Sequence, residues 1–216
     1  MSSFSERLRA DNIENWNAAI NHRFVGEIFR GAVPSQVMRR YLVQDYQFID
    51  RFVALLGAAI ASADLYASRI RFAQFAAMIT SDENTYFQRS FNALGVPESE
   101  RTAPHLADVT RQFQALMAEA AASRSYANAL AVLTVAEGIY LEWADQGYPL
   151  PADFIHAEWI TLHNSPGFRE FVLWLRSELD RIHDFLNDAE RHVAAGYFRR
   201  AVELERAFFD YIYEGE

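Results

Sequence analysis

The chain of 216 residues contains no cysteine. Disulfides, thiolate metal sites and a cysteine nucleophile are therefore excluded together, and the absence suits a cytoplasmic enzyme. Glycine and proline are scarce, 9 and 6 residues, which leaves little for long linkers. Lys and Arg never gather in more than a pair, and the formal net charge is −9. A nucleic-acid partner would need a basic face, so none is expected. The N-terminal run Met1 to Asn12 lacks the apolar stretch of a secretory signal. The longest apolar run, Phe52 to Ala63, is about a dozen residues, short of the roughly 20 that span a bilayer. No membrane association is expected. Alternating runs bounded by turn residues, Asn-Gly hairpins, internal repeats and glycine-rich phosphate loops are also missing.

What remains is helical and aromatic. Hydrophobic residues make up 51% of the chain, and 17 Phe, 10 Tyr and 4 Trp suit either a bulky core or a pocket for a flat ligand. Length and composition predict one domain over residues 1–216, all-α, a bundle of about eight helices. Helical spacing and caps place these over Ser3 to Ile20, Ser35 to Ser62, Ala67 to Leu94, His105 to Ala122, Tyr126 to Asp145, Ala152 to His163, Phe168 to Asn187 and Ala189 to Tyr213. A short segment, His22 to Arg30, links the first two. Tyr126 to Tyr140 is apolar on more than one face, which permits contact with a second subunit.

Three helices carry an acid inside an apolar stripe. Tyr41, Asp45, Phe48 and Phe52 share one face; Leu133, Glu137, Tyr140 and Ala144 share another; Phe198, Ala201, Glu205, Phe208 and Ile212 a third. Glu83, near Ile79, Tyr86 and Phe87, is a weaker fourth. A buried acid must be paired or neutralised. Singly, each has a structural reading: Asp45 answers a backbone N–H or an Arg, and Glu137 bonds to the helix that begins at Ser165. Together they fit a shared polar pocket, in which some acids stay protonated. His22 is expected to be a structural partner, and Tyr41 and Tyr46 to be packing. Asp180 and His183 stand three apart, but six metal ligands cannot be assembled around them, and no metal is assigned.

The runs Trp16-x-x-Ala19-x-x-His22-x-Phe24, Gly31-x-x-Pro34 and Tyr41-Leu42-x-Gln44-Asp45-Tyr46-x-Phe48-Ile49 resemble the TenA family, thiaminase II and its relatives. Glu205-x-x-Phe208-Phe209-x-x-x-Tyr213 is similar to the closing motif of that family. The resemblance covers essentially the whole chain. It implies the haem-oxygenase-like bundle without haem, no cofactor, and a homodimer or homotetramer. It further implies a small-molecule substrate, a 4-amino-2-methylpyrimidine substituted through a 5-methylene group. By position, Asp45 matches the acid that binds the ring nitrogen and 4-amino group. Phe48 falls where an aromatic packs on the ring, Tyr140 matches a pocket tyrosine, and Glu205 matches the catalytic glutamate. The better-known branch has a catalytic cysteine where this chain has Ala136, and a tyrosine where it has His163. The chain is thus more similar to the cysteine-free branch, associated with salvage of aminomethyl- or formylaminomethyl-pyrimidines.

The expected activity is hydrolysis of such a pyrimidine by water. Glu205 and Glu137 are the expected catalytic residues, with Asp45, Phe48, Tyr140, His163, Glu83 and Tyr86 around the substrate. Glu205 serves as general base and then acid, Glu137 holds the water or raises the pKa of Glu205, and His163 shuttles a proton. His163 also has a structural reading, a cation at a helix C-terminus. Two other classes compete. One is a metal-dependent oxidase on the same bundle, for which Asp180 and His183 fit but Arg176 occupies the leading position. The other is a non-catalytic pyrimidine-binding relative.

Overall fold

Ser3 and Glu6 form the two reciprocal bonds of a capping box and start α1 (Phe4–Asp11). In the computed structural model, which describes residues 2–214, the first expected helix is split: α2 (Ile13–Ile20) follows as a separate rod. The break is at Asn12, whose side-chain amide donates to the Leu8 carbonyl at 2.8 Å, offering the backbone a partner outside the helix ladder. Next come α3 (Arg23–Phe29) and the long α4 (Ser35–Ser62), whose limits match the sequence reading. The expected helix from Ala67 to Leu94 is α5 (Tyr66–Met78), a π-helical turn (Ile79–Glu83) and α6 (Asn84–Ala93). Around this turn Thr80 and Ser81 donate their hydroxyls to carbonyls one turn back. Gly95, at φ +65°, ends α6 in the left-handed conformation that favours glycine.

The chain continues through the single turn α7 (Glu98–Thr102), α8 (Asp108–Ala122), α9 (Tyr126–Ala144), α10 (Phe154–Asn164), α11 (Pro166–His183) and α12 (Asp188–Glu214). α7 was not anticipated. Among the described residues there is no strand, and no helix is long and apolar enough to cross a membrane. Ser165 caps α11 through Phe168 N–H, with Pro166 in the first turn.

α9 is the axis. All its residues but Glu142 are buried, and α4, α8, α10, α11 and α12 pack around it. Its all-round apolar character is therefore accounted for inside this chain, not by a second subunit. Glu142 gathers Arg9 of α1, Trp16 of α2 and Arg176 of α11 at 2.8–2.9 Å, fastening the outer helices to the axis. Gly138 allows this close approach: a Cβ there would stand 3.1 Å from the Trp16 ring.

The residues considered for a metal have structural tasks. Asp180 accepts from the Ser5 amide and hydroxyl at 2.7 and 3.0 Å, tying α1 to α11. Arg181 bridges Asp64 and Glu178. Among the described residues no group of three His, Asp or Glu side chains is arranged to hold a metal ion.

Candidate active site

Burial of α4, α9 and α12 against one another carries their stripe acids inward. Asp45, Glu137 and Glu205 are 8%, 7% and 3% exposed, and all three open into one cavity. The space between its lining atoms is about 530 Å³, the open mouth included. Phe48, Phe52, Phe113, Met117, Ile79 and Trp159 provide an apolar wall, and Ala136 also lines it. Glu83 reaches the same cavity from the π-helical turn and is partly exposed there. A second recess, with Asp82, Thr161 and Ser165, shares Glu83 and His163 as walls.

Gln44 holds α8 against this cavity. Its amide donates to the His105 carbonyl at 2.9 Å, and its oxygen accepts from Ala107 N–H at 3.0 Å and the Thr110 hydroxyl at 2.7 Å. These bonds fix the start of the helix that carries Phe113 and Met117.

The acids have few protein partners. The Tyr140 hydroxyl donates to Asp45 Oδ1 at 3.3 Å. Glu137, Glu205 and Glu83 make no side-chain hydrogen bond with the described residues. Neither structural reading holds: Asp45 meets neither a backbone N–H nor an Arg, and Ser165 is engaged with Phe168, not Glu137. Burial pushes the Asp45 carboxyl up to about 7, against the Tyr140 bond. Burial, then repulsion from Asp45, pushes Glu137 up to about 8. Glu205 is held well above the carboxylate range by burial and by Asp45 and Glu137. Glu83 is raised likewise by burial and by Glu137 and Asp45.

His163 is on the wall, but not as a cation. Burial lowers it to about 4, and its Nδ1 donates to the Trp159 carbonyl at 2.8 Å. That bond leaves Nε2 as an acceptor on a neutral ring. The helix-end cation reading is thereby overturned, and proton shuttling by an imidazolium near neutral pH has no support. Phe48 lines the cavity, set edge-on to Phe208 with centroids 5.0 Å apart. Tyr86 stands one layer back: its ring stacks on Trp159 at 5.0 Å and its hydroxyl donates to the Ile155 carbonyl. It supports the wall and is not on it. His22 is structural as expected, accepting from Phe24 N–H and facing Asp210.

Two residues of the site were missed. Tyr41 does not only pack: its hydroxyl lies 2.8 Å from that of Tyr140. Trp159 Nε1 donates to the same Tyr41 hydroxyl at 3.1 Å. A buried Tyr hydroxyl and Trp N–H each require a partner, which the position of Tyr41 in a stripe does not identify.

Among the described residues the chain is a strand-free helical bundle in which acids from several helices, none paired with a cation, converge on an aromatic-walled cavity. The TENA/THI-4/PQQC family model matches residues 10–215, and the chain belongs to that family. An aminopyrimidine aminohydrolase of Bacillus subtilis is 26% identical over 200 residues, covering 89% of this chain and 80% of that protein. The crystal structure of a TenA homologue from Pyrococcus furiosus superposes with a TM-score of 0.87 at 21% identity, over 97% of this chain and 100% of that one. A protein described as a TenA family transcription regulator, from Silicibacter sp., gives 0.86 at 18% identity, over 99% and 97%. These two share the fold.

Proposed function

We propose that the chain hydrolyses 4-amino-2-methylpyrimidines substituted at the 5-methylene carbon, the aminomethyl derivative first among them. The observation that carries this is the meeting of Asp45, Glu137 and Glu205, from three distant segments, in one aromatic-walled cavity without a lysine or arginine in its lining. Such a site favours a flat, basic, hydrogen-bonding guest. The name of the Bacillus subtilis relative supports the same class.

In the proposed reaction Asp45 accepts from the 4-amino group and shares a proton with the ring nitrogen, a charge-assisted fork. This strengthens electron donation from the 4-amino nitrogen into the ring and loosens the bond at the 5-methylene carbon. Glu205, protonated because it is buried among other acids, gives its proton to the departing amine as the C–N bond breaks. Water then forms the C–O bond and its proton returns to the Glu205 carboxylate. Glu137 orients that water and keeps the Glu205 pKa high by repulsion. Phe48 contributes the apolar face for the ring, and Glu83 a polar group near the leaving amine. The net change is one water consumed, with ammonia and the 5-hydroxymethyl pyrimidine released.

The test is incubation with the 5-aminomethyl and 5-formylaminomethyl pyrimidines, following the hydroxymethyl product together with ammonia from the first and formamide from the second. Product from either establishes a hydrolase. Binding without product would assign a pyrimidine-binding protein, and no binding of either would refute the proposal.

A further inference from the structure

The unexplained feature of the cavity is the row of polar atoms behind Asp45. Trp159 Nε1, the Tyr41 hydroxyl, the Tyr140 hydroxyl and Asp45 Oδ1 follow one another at 3.1, 2.8 and 3.3 Å. All four residues are buried. An indole N–H donates and cannot accept, while a phenol has a single proton to give. With Trp159 donating to Tyr41, the Tyr41 proton goes to Tyr140, and the Tyr140 proton goes to Asp45. Each bond polarises the next in the same sense.

The reverse order is disfavoured. Were Asp45 protonated on Oδ1, its O–H would donate to Tyr140 and Tyr140 to Tyr41. Tyr41 would then accept from both Tyr140 and Trp159, and its own buried proton would have no acceptor in the row. The indole thus acts as a stop that sets the direction of the whole row.

We propose that Tyr41 and Trp159 are positioning residues: the one-way row they form with Tyr140 keeps Asp45 Oδ1 an acceptor, so that Oδ2 alone carries or shares the proton facing the ligand. The inference rests on the pyrimidine reading only for what the ligand is. The groups facing Asp45 from the surrounding elements are Glu83 on the π-helical turn, Glu137 and Tyr140 on α9, Glu205 on α12 and His163 on α10, with Tyr41 beside it on α4. The acids are its competitors for charge, and no cation among them offers Asp45 another source of stabilisation. The two hydroxyls and the indole N–H are what favours its ionised form.

The test reads Asp45 directly. Protein labelled with ¹³C at the aspartate carboxyl is titrated by NMR, and the Asp45 signal is identified by its loss in D45N. In Y41F the midpoint should rise by roughly 0.5 to 1 pH unit, the equivalent of losing one buried neutral hydrogen bond. Y140F should raise it further. The double variant should match Y140F alone, because Tyr41 acts through Tyr140. With 5-aminomethylpyrimidine as substrate, Y41F should raise KM at neutral pH by roughly three- to tenfold, with little change in kcat. An unshifted Asp45 midpoint in folded Y41F would overturn the proposal, as would additive shifts in the double variant. If Y41F does not fold, W159F reads the same row from its far end, with the same upward shift expected. The titration needs no ligand, so a protein without activity on any pyrimidine would refute the functional reading and still decide this one.

Discussion

Asp45 and Glu205, 160 positions apart in the chain, open into the same cavity, and burial holds both carboxyls above their usual range, with repulsion from Asp45 added at Glu205. Their proposed tasks differ, and so should their variants. E205Q should lose about 10² to 10⁴ in kcat, the span typical of a general acid–base, and still bind the pyrimidine within a few-fold of the wild type. D45N should weaken binding by about tenfold or more, since it removes a charge-assisted bond. Turnover assays with calorimetric titration separate the two, and near wild-type behaviour of both would remove the mechanism.

The same acids make a prediction about stability. Folding raises Asp45 to about 7 and Glu137 to about 8, so the folded chain keeps protons that the unfolded chain releases. Stability should therefore fall as pH rises from about 4, where free carboxyls ionise, and go on falling while Glu205 and Glu83, raised in the same sense, still hold their protons. Thermal melting of the ligand-free protein between pH 5 and 8.5 should show Tm declining with pH. The decline should flatten in D45N and in E137Q, and an unchanged slope in both would contradict the placement of these acids.

His163 should contribute no limb to the pH–rate profile between pH 5 and 9, because burial keeps it neutral throughout that range. H163N should change the rate through packing and its lost acceptor, while the limbs stay where they are. E137Q and E205Q should move or abolish them. The measurement is kcat/KM against pH, and a limb that vanishes only in H163N would reverse the assignment.

Gln44 gives a structural prediction. Q44A would leave the His105 carbonyl, the Ala107 N–H and the Thr110 hydroxyl without the bonds they now make to its side chain. A loss of roughly 3 kcal/mol is expected in urea unfolding, from several buried polar groups at about 1 to 3 each. Activity at a temperature where Q44A is folded should fall less than in E205Q, since α8 supplies only wall residues.

Much of this was legible in the sequence, for reasons that can be named. Period and caps were enough for α4 and α9, whose stripes are long and uninterrupted. Glu137 and Glu205 stood out because an acid in an apolar stripe needs a reason. The first helix was read too long because Asn12 is an acceptable helix residue in composition. The local bond of Asn12 to the Leu8 carbonyl is joined by the tertiary bonds of α1 to Asp180 and of Trp16 to Glu142, which the sequence does not show. Tyr86 was assigned to the pocket on a straight α-helical register from Ile79. The π-helical turn shifts that register, so Ile79 and Glu83 face the cavity while Tyr86 meets the back of Trp159. Tyr41 was read as packing because a stripe position says nothing about where a hydroxyl ends.

The widened turn at Ile79–Glu83 also says where the chain should tolerate a change of length. A π-helical turn holds one residue more than an α-helical one, so removing one residue there would let α5 and α6 join as a regular rod while the residues beyond keep their facing. Tyr86 would keep its seat behind Trp159, and Phe87 and Phe91 their places in the core. What such a shortening would remove is the bulge that brings Ile79 and Glu83 to the cavity, so the harm should fall on the site and not on the fold.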